Sequence, residues 1–327
     1  MYINPYAPLA GEGLWLKANF HVHAVPDGTG GQWTAAQLER RRLSGPAWEG
    51  APVRGPLNGV SRVIALYKDA GYDVLTIADQ SSVMDTRGIG EKLGILTIKG
   101  IENIEQDGIL CIDIQRFIKG EPQEVLDDCA RQGGFSIVCH PNLIPGPGFP
   151  PLLSRETTRT LRGYDGIEIL TPAVFKGLQG SGLATDFWDE LLSAGKLVWG
   201  FGNDDFHWYW EMDRAWNMVF AAGRTVAEVK AALKRGSTYV STGLQLRQLT
   251  FEDSVLTVGA TMPGGQPRRI RYEFVGAGGE ILAEGSGEAA RYRLSGHEPY
   301  VRVEATSDAG AMLWTQPVYD EARLRRA

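Results

Sequence analysis

Apolar and polar positions form a repeating pattern through most of the chain, in which an amphipathic helical stretch is followed by a short apolar run that ends in polar residues. The segment VSRVIALYKDAGYDVLTIADQ shows the unit. Its apolar residues Val60, Val63, Ile64 and Leu66 have helical spacing, the helix ends before Gly71, and the predicted strand DVLTIAD follows. The same order recurs in EKLGILTIKGIENIE, EVLDDCARQGGFSIVCHPN, LRGYDGIEIL and LLSAGKLVWGFGNDDFH. Repeated units of this kind predict a largely parallel α/β sheet or barrel.

A different pattern begins after the segment GSTYVSTG. From Leu246 onward, short alternating runs such as RQLTFE, SVLTVGA and YVRVEAT are separated by Gly, Pro and Asp turns. This pattern is typical of a small antiparallel β-sandwich. We therefore predict an α/β domain over residues 1–244 and an immunoglobulin-like β-sandwich domain over residues 245–327.

Residues 28–58 form a loop-rich insertion in the predicted α/β domain. The stretch contains GTGGQW and SGPAWEGAPVRGP and is rich in Gly and Pro. A connection of this length is uncommon unless it is functional or disordered. The sequence leaves both interpretations open: a lid over a site, and a disordered insertion.

The composition is that of a soluble globular protein, with 43% hydrophobic and 22% charged residues. The net charge of −6 argues against a nucleic-acid backbone as the main partner, because such proteins carry a basic face. A small anionic substrate remains compatible, since a bound metal ion can supply positive charge locally. The sequence leaves assembly into a homo-oligomer open.

The sequence shows no signal peptide, membrane helix or paired cysteines, and this bears on where the protein is found in the cell. The N-terminus has neither a basic start nor an apolar core of a signal peptide, and no apolar run approaches the roughly 18 residues of a membrane helix. Cys111, Cys129 and Cys139 are odd in number and show no CxxC spacing. We therefore expect a cytoplasmic protein with reduced thiols that serve core packing and no membrane partner.

Histidines and carboxylates cluster at the ends of the predicted strands. In an α/β barrel the carboxyl ends of the strands share one face, where active sites form. Imidazole and carboxylate donors suit zinc, manganese or iron. His21 and His23, two apart on an extended segment, point to the same side and can reach one ion. The set comprises His21, His23, Asp79, Gln80, Glu102, His140, Glu168, Asp204, Asp205 and His207.

These motifs, taken in order, resemble those of the PHP (polymerase and histidinol phosphatase) superfamily. NFHVHA resembles the HxH motif, and Asp27-Gly28 its following acidic pair. AGYDVLTIADQSS, GIENIE, VCHPN and GFGNDDFH resemble the TDH, GxE, HP and DxH motifs, and VKAALKRGSTYVSTG resembles the end of the family's catalytic domain. The resemblance covers about residues 15–244. It implies a distorted seven-stranded (β/α) barrel with metal ions at its C-terminal rim.

The resemblance also implies which residues bind metal. A first ion would use His21, His23, Glu102 and Asp205, and a second would share Glu102 with His140. A third would use Asp27, the histidine of the TDH motif and His207. The resulting expectation is one to three divalent ions (Mn, Zn or Fe) and the candidate ligands His21, His23, Asp27, Asp79, Glu102, His140, Glu168, Asp205 and His207.

Two departures from the family pattern weaken the second and third positions. Gln80 stands where the family has the histidine of TDH, and a neutral carboxamide binds transition metals weakly. The histidine expected after GxE is missing, with Ile109 or a neighbour in its place. Glu168 either restores charge to the second position or is a half-buried strand glutamate held by a backbone or arginine partner.

The function implied by the resemblance is a metal-dependent phosphoesterase that hydrolyses a small phosphorylated metabolite or nucleotide through a metal-activated water. Asp205 and His207 are the candidate catalytic residues for proton transfer. The alternatives are a hydrolase or lyase of a different bond class on the same scaffold, and a non-catalytic ligand-binding descendant. The candidate substrate-binding residues are Gln80, Arg87, Lys99, Asn142, Lys176 and Arg214. For the four cations among them, the sequence favours the alternative of a solvated surface residue.

Overall fold

A computed structural model describes residues 1–27, 59–80, 82–103, 108–144, 152–172, 179–207, 209–265 and 268–326. The predicted insertion at 28–58 and Lys176 lie outside these residues. The helices are α1 (Val60–Asp69), α2 (Arg87–Leu93), α3 (Pro122–Arg131), α4 (Arg155–Thr160), α5 (Thr185–Ser193) and α6 (Val226–Arg235). None of the described helices has both the length and the apolar character needed to cross a membrane.

Strands outnumber helices, so the chain is a mixed α/β protein made mostly of sheet. The first eleven strands are β1 (Tyr2–Ile3), β2 (Leu14–Val22), β3 (Val74–Asp79), β4 (Leu96–Asn103), β5 (Ile109–Ile112), β6 (Phe135–Val138), β7 (Leu143–Ile144), β8 (Gly166–Leu170), β9 (Gln179–Gly180), β10 (Lys196–Leu197) and β11 (Trp199–Gly202). The remaining strands are β12 (Trp216–Ala221), β13 (Thr238–Ser241), β14 (Gln245–Glu252), β15 (Val255–Thr261), β16 (Ile270–Val275), β17 (Ile281–Ser286), β18 (Ala290–Arg293), β19 (Tyr300–Ser307), β20 (Met312–Thr315), β21 (Val318–Asp320) and β22 (Arg325–Arg326).

The chain divides into two compact units, each assembled from separated segments. The α/β unit comprises residues 17–184 and 202–215, and the β-rich unit comprises residues 1–16, 185–201 and 216–327. The predicted boundary between residues 244 and 245 falls inside the β-rich unit, between β13 and β14.

The sheet of the α/β unit runs in the order β2-β3-β4-β5-β6-β8 and mixes parallel with antiparallel pairs. β2, β3 and β4 are parallel neighbours, whereas β5 is antiparallel to both β4 and β6. The largely parallel sheet expected from the sequence is therefore not what forms, and the layout does not show a regular (β/α)7 barrel. Only a few residues separate β4 from β5, and a connection that short can join strands only in an antiparallel pair.

The helix-then-strand unit at residues 60–79 folds as predicted, with α1 followed by β3. α1 buries Val60, Val63, Ile64 and Tyr67 on one face. Removing a large apolar side chain from water contributes about 1.5–3 kcal/mol, so this face holds the helix against the sheet. The chain then turns at Gly71, whose φ of 81° is one that residues with a Cβ rarely adopt.

The β-rich unit contains two antiparallel sheets. One is β14-β15-β18, and the other includes the series β12-β13-β20-β19-β16-β17. Buried apolar residues from both sheets, including Leu256, Val258, Phe274 and Val303, belong to one core cluster. The alternating pattern after residue 245 thus predicted the strands correctly, but the second sheet also takes β12 and β13 from earlier in the sequence.

Glu298 of the β-rich unit accepts hydrogen bonds that stabilise its charged form. The Tyr292 hydroxyl donates to Oε1 at 2.6 Å, and the amides of Ser295 and Gly296 donate to the carboxylate at 3.0 Å and 3.1 Å. Burial by itself would raise the pKa of Glu298, but these hydrogen bonds lower the pKa to about 2.

Glu298→Gln is expected to lower the free energy of unfolding at pH 7 by about 1–2 kcal/mol, a discounted value because solvent screens the carboxylate. The folded pKa lies below the ordinary value of 4.5, so this stabilisation is present above pH 4.5 and is lost as the pH falls toward 2. Denaturant unfolding of both proteins at several pH values tests this. A stability difference that persists unchanged at the lowest pH would contradict it.

Candidate metal centre

The polar residues predicted from strand ends come together at one edge of the α/β unit's sheet. His21 lies on β2, Glu102 on β4 and Glu168 on β8, while His140 comes two residues after β6 and Asp205 three residues after β11. The first three are 0%, 2% and 0% exposed. Burying so many polar groups is unfavourable unless they bind one another or a cation.

Three donor atoms form a nearly equilateral triangle. His21 Nε2 lies 3.1 Å from His23 Nε2 and 3.2 Å from Asp205 Oδ1, and His23 Nε2 lies 3.1 Å from the same oxygen. Donors about 2.0–2.2 Å from a shared zinc-like ion stand roughly 3–3.5 Å apart. The triangle therefore has a spacing that suits one divalent ion, and the HxH pair supplies two of its three corners. Its role as a chelating arm stays a prediction.

Glu102 lies between this triangle and His140. Its Oε1 is 3.2 Å from His140 Nε2 and 3.4 Å from His21 Nε2, while its Oε2 is 3.4 Å from His23 Nε2. Gln80 Nε2 donates to Oε2 at 2.8 Å. The carboxylate can therefore bridge two metal positions, and Gln80 holds one of its oxygens.

Cys139 is a neighbour of the centre that the sequence interpretation missed. One donor atom from each of His21, Glu102, Cys139 and His140 lies within 4.8 Å of the others. His140 Nδ1 is buried and has no hydrogen-bond partner among the described residues. All three cysteines were expected to serve core packing, although the position of Cys139 directly before the HP motif was a usable signal.

Glu168 holds His21 in place. The His21 Nδ1 nitrogen lies 2.8 Å from Glu168 Oε1, which leaves Nε2 to face the other donors. Glu168 also accepts hydrogen bonds from the His140 amide, Thr171 Oγ1 and Asn203 Nδ2 at 2.7–2.9 Å. A carboxylate that orients a ligating histidine is a common second partner in metal sites. Its role as a metal ligand stays a prediction.

Two buried asparagines, also missed from the sequence, fix the backbone that carries the HxH pair. Asn203 Oδ1 accepts from the Phe20 amide at 3.0 Å, and Asn19 Oδ1 accepts from the His21 amide at 3.2 Å. Both asparagines are fully buried. They restrain the strand from which the histidines project.

The charges of the centre call for a cation. Burial opposes the imidazolium form of His21, but Asp205, Glu168 and Glu102 together raise the pKa of His21 well above its ordinary value. Burial also opposes the charged form of Glu102, which by itself would raise its pKa. The neighbouring His21 and His140 outweigh this and hold the pKa of Glu102 well below the usual range. The carboxylates thus require positive charge nearby, which either protons or a metal ion can supply.

Two site residues have strained backbones. His140 has φ of 28° and Asp205 has φ of 47°, in a region that residues with a Cβ rarely occupy. Such strain costs about 1–3 kcal/mol and concentrates at functional sites. At both positions it occurs where the chain leaves a strand and turns its side chain toward the cluster.

His207 lies at the more open side of the centre. Its side chain is 26% exposed, and its ring centroid is 4.2 Å from that of His23. Nδ1 lies 3.0 Å from the backbone oxygen of Asp205, which can only accept, so Nδ1 is the donor. In the neutral ring the proton is then on Nδ1, and Nε2 is left as a base.

Asp27 and Asp79 are not part of either donor group among the described residues. Asp27 is exposed and accepts hydrogen bonds from the amide and hydroxyl of Ser61, at the start of α1. Asp79 is buried at the end of β3 and accepts from Ser82 Oγ at 3.2 Å. Their assignment as ligands stays a prediction.

Two of the predicted substrate-binding cations pair with a nearby carboxylate. Arg87 Nη2 lies 2.6 Å and Lys99 Nζ lies 3.3 Å from Asp85 Oδ2. The Arg87 side chain is 64% exposed. These contacts match the surface interpretation that the sequence left open.

The remaining substrate-binding candidates also have local partners or lie outside the described residues. Asn142 Nδ2 donates to the Leu183 oxygen at 2.8 Å, and Arg214 Nε donates to the Trp210 oxygen at 2.8 Å. Lys176 is outside the described part of the chain. Gln80 contacts Glu102, a residue of one of the two donor groups.

The fold and the site together define a mixed α/β protein with a candidate centre for divalent metal ions. Its donors are imidazole nitrogens and carboxylate oxygens that converge from separate strand ends. This chemistry is the one expected of a metal-dependent hydrolase.

No protein-family model matches this sequence, and no curated protein matches it. Among solved structures, the chain is similar to a two-domain protein from Bacteroides vulgatus that contains a predicted PHP-like metal-dependent phosphoesterase. The two share 15% identity, the alignment covers 89% of this chain and 90% of that chain, and the TM-score is 0.47.

Proposed function

We propose that the protein is a metal-dependent phosphoesterase that hydrolyses a small phosphorylated metabolite or nucleotide. The observation that carries the proposal is the triangle of His21 Nε2, His23 Nε2 and Asp205 Oδ1, together with Glu102, which reaches from it to His140. A carboxylate between two groups of donors suits a site with two cations. Such sites are common in enzymes that hydrolyse phosphoesters.

A divalent ion held by these residues would supply a water of lowered pKa and would neutralise charge on the phosphoryl oxygens. The protein residues then have separate tasks. Glu168 fixes the ring of His21, and His207, whose side chain is 26% exposed, keeps Nε2 as a base. We assign His207 Nε2 the proton transfer: it would take the proton that the attacking water loses and give it to the leaving-group oxygen, while the backbone oxygen of Asp205 orients the ring.

The donors support a proposal for the number and type of the metal ions. The triangle offers a full set for one Mn, Zn or Fe ion, whereas Gln80 contributes only an amide that already donates to Glu102. We therefore propose one strongly held ion and up to two more weakly held ones. The substrate is anionic because the bound cations give the centre a positive potential.

A second candidate function is a hydrolase or lyase of another bond class. Gln80 favours it, because its amide occupies one oxygen of Glu102 at 2.8 Å and so changes what that carboxylate can bind. The three described cysteines are free and buried, which supports a reducing, cytoplasmic setting for either function.

Chelator treatment followed by metal addition tests the proposed function. Metal-free protein is expected to release no phosphate from a panel of small phosphoesters, and addition of manganese, zinc or iron(II) is expected to restore release. Elemental analysis of the same samples gives the metal bound per chain. His297→Ala, at an exposed turn of the β-rich unit, serves as the control and should match the wild type.

Phosphate release that persists in chelator would overturn the metal requirement. Turnover of lactones or amides with no phosphoester hydrolysis would favour the second candidate. Tight binding of a phosphorylated compound without turnover under any metal would instead support a non-catalytic binding protein.

A further inference from the structure

We propose that Cys139 is a metal ligand, and that its sulfur makes the position it shares with Glu102 and His140 select a thiophilic ion such as zinc over manganese. The inference rests on the proposed metal centre and names a determinant of its metal preference. It assigns a chemical role to a buried cysteine that was expected from the sequence to serve core packing.

The geometry brings the sulfur into the donor set. Donor atoms of His21, Glu102, Cys139 and His140 all lie within 4.8 Å of one another. A tetrahedral zinc ion holds nitrogen at about 2.0–2.1 Å and sulfur at about 2.3 Å, which spaces its donor atoms roughly 3.3–3.7 Å apart. His140 Nε2 and Glu102 Oε1, 3.2 Å apart, already have about this spacing, so the sulfur has to approach by at most about an ångström to join them around one ion.

His21 also belongs to the triangle with His23 and Asp205, so the second position depends on the other three residues. Glu102 Oε1 faces His140 Nε2 at 3.2 Å, whereas its other oxygen faces His23 at 3.4 Å. Besides His21, the residues of this donor group offer one carboxylate, one imidazole and the thiol of Cys139. Cys139 is therefore the residue that completes a three-donor set.

The sequence around Cys139 explains why the sulfur and the neighbouring imidazole reach the same place. Residues 139 and 140 follow β6, and adjacent side chains of a regular strand would point to opposite faces. His140 instead has φ of 28°, which breaks the alternation. On the neighbouring strand β5, Ile109 pairs with Val138 of β6, and its side chain cannot bind a metal ion. Cys139 is the next residue after Val138, so its thiol offers a donor atom close to this pair.

Cys139 also differs from the other two cysteines. Its thiol has a weak contact with the Ile137 oxygen at 3.7 Å, and it lies beside the His21 ring. Cys111 and Cys129 interact with each other instead. All three are buried, so burial alone does not single out Cys139. What distinguishes Cys139 is its surroundings of two histidines and a carboxylate, because a core thiol used only for packing has apolar neighbours.

The donor type then determines the metal. Thiolate is a soft ligand that favours zinc or iron, whereas manganese prefers oxygen. A metal ion that binds a thiol displaces its proton, so the position would carry charge from both Glu102 and Cys139. Two negative donors and one imidazole match zinc well and manganese poorly.

Cobalt(II) substitution tests the proposal with a readout that is independent of activity. Metal-free full-length protein is titrated with cobalt while the absorption spectrum is recorded. Wild type is expected to show a sulfur-to-cobalt charge-transfer band as the second equivalent binds. Cys139→Ala and Cys139→Ser should lose this band and keep the first equivalent. Cys129→Ala, an equally buried cysteine of the same unit, should keep the band.

A metal competition gives the selectivity. With zinc and manganese supplied together, Cys139→Ser is expected to lower the bound zinc-to-manganese ratio at least about tenfold, because loss of even an outer-shell partner costs about 10- to 100-fold in affinity. The serine replacement keeps the size of the side chain, so a folding defect is not expected to confuse the result.

The failure of this inference is distinguishable from failure of the proposed function. Cobalt that binds wild type without the charge-transfer band, or a band that persists in Cys139→Ala, overturns the role of Cys139 and leaves the metal centre standing. No cobalt bound at all overturns both. An unchanged zinc-to-manganese ratio in Cys139→Ser overturns the claim of selectivity.

Discussion

Glu102→Gln is expected to lower the affinity for metal by at least about 100-fold and to abolish phosphate release. The carboxylate lies within 3.4 Å of nitrogen atoms of His21, His23 and His140. Removal of its charge therefore affects both metal positions at once. Outer-shell partners of metal ligands already contribute about 10–100-fold in affinity, and a residue that reaches both positions should contribute more.

Elemental analysis after dialysis against limiting zinc measures the effect, and phosphate release is assayed on the same samples. Glu91→Gln, an exposed glutamate of α2, is the matched control and should retain wild-type metal content. The glutamine variant should still fold, because it removes a buried negative charge without changing the size of the side chain. Two metal equivalents retained by Glu102→Gln would show that Glu102 does not bridge the positions.

The sequence predicted which polar residues lie close together better than it predicted the sheet that carries them. HxH spacing needs only local extended geometry, so His21 and His23 could be paired before any fold was known. Whether β5 runs parallel or antiparallel depends on the length of one connection, which the helix-then-strand pattern overlooked. The strands after residue 245 were predictable from alternation, but β12 and β13 join their sheet through long-range pairing that local patterns do not encode.

The same contrast explains the individual residues. Asp27 matches a motif by position, yet its carboxylate interacts with Ser61 at the start of α1. Cys139 matches no motif, yet it lies among the donors, and the unusual backbone angle of the next residue, His140, lets the imidazole lie in the same donor group. Side-chain direction after a strand end depends on one or two dihedral angles, and the sequence does not fix these.

Asp189→Ala in the β-rich unit is expected to lower the free energy of unfolding by about 3–5 kcal/mol. Asp189, on α5, accepts from Arg302 Nε at 2.7 Å and Nη2 at 2.5 Å, and from the Tyr300 hydroxyl at 2.9 Å. The two charged residues are 3% and 1% exposed. Removing the aspartate leaves a buried guanidinium with only Glu304 as a charged partner, and an unpaired buried charge is far more costly than a lost surface pair.

Denaturant unfolding monitored by circular dichroism measures this loss, with Asp186→Ala as control. Asp186 is an exposed residue in the first turn of the same helix, so its removal should cost less than about 1 kcal/mol. Replacing both partners by apolar residues, in Asp189→Leu/Arg302→Met, should recover much of the loss, since the penalty comes from the unpaired charge and not from the missing attraction. A double variant less stable than Asp189→Ala would contradict this reasoning, because it would mean that the attraction itself holds α5 against β19.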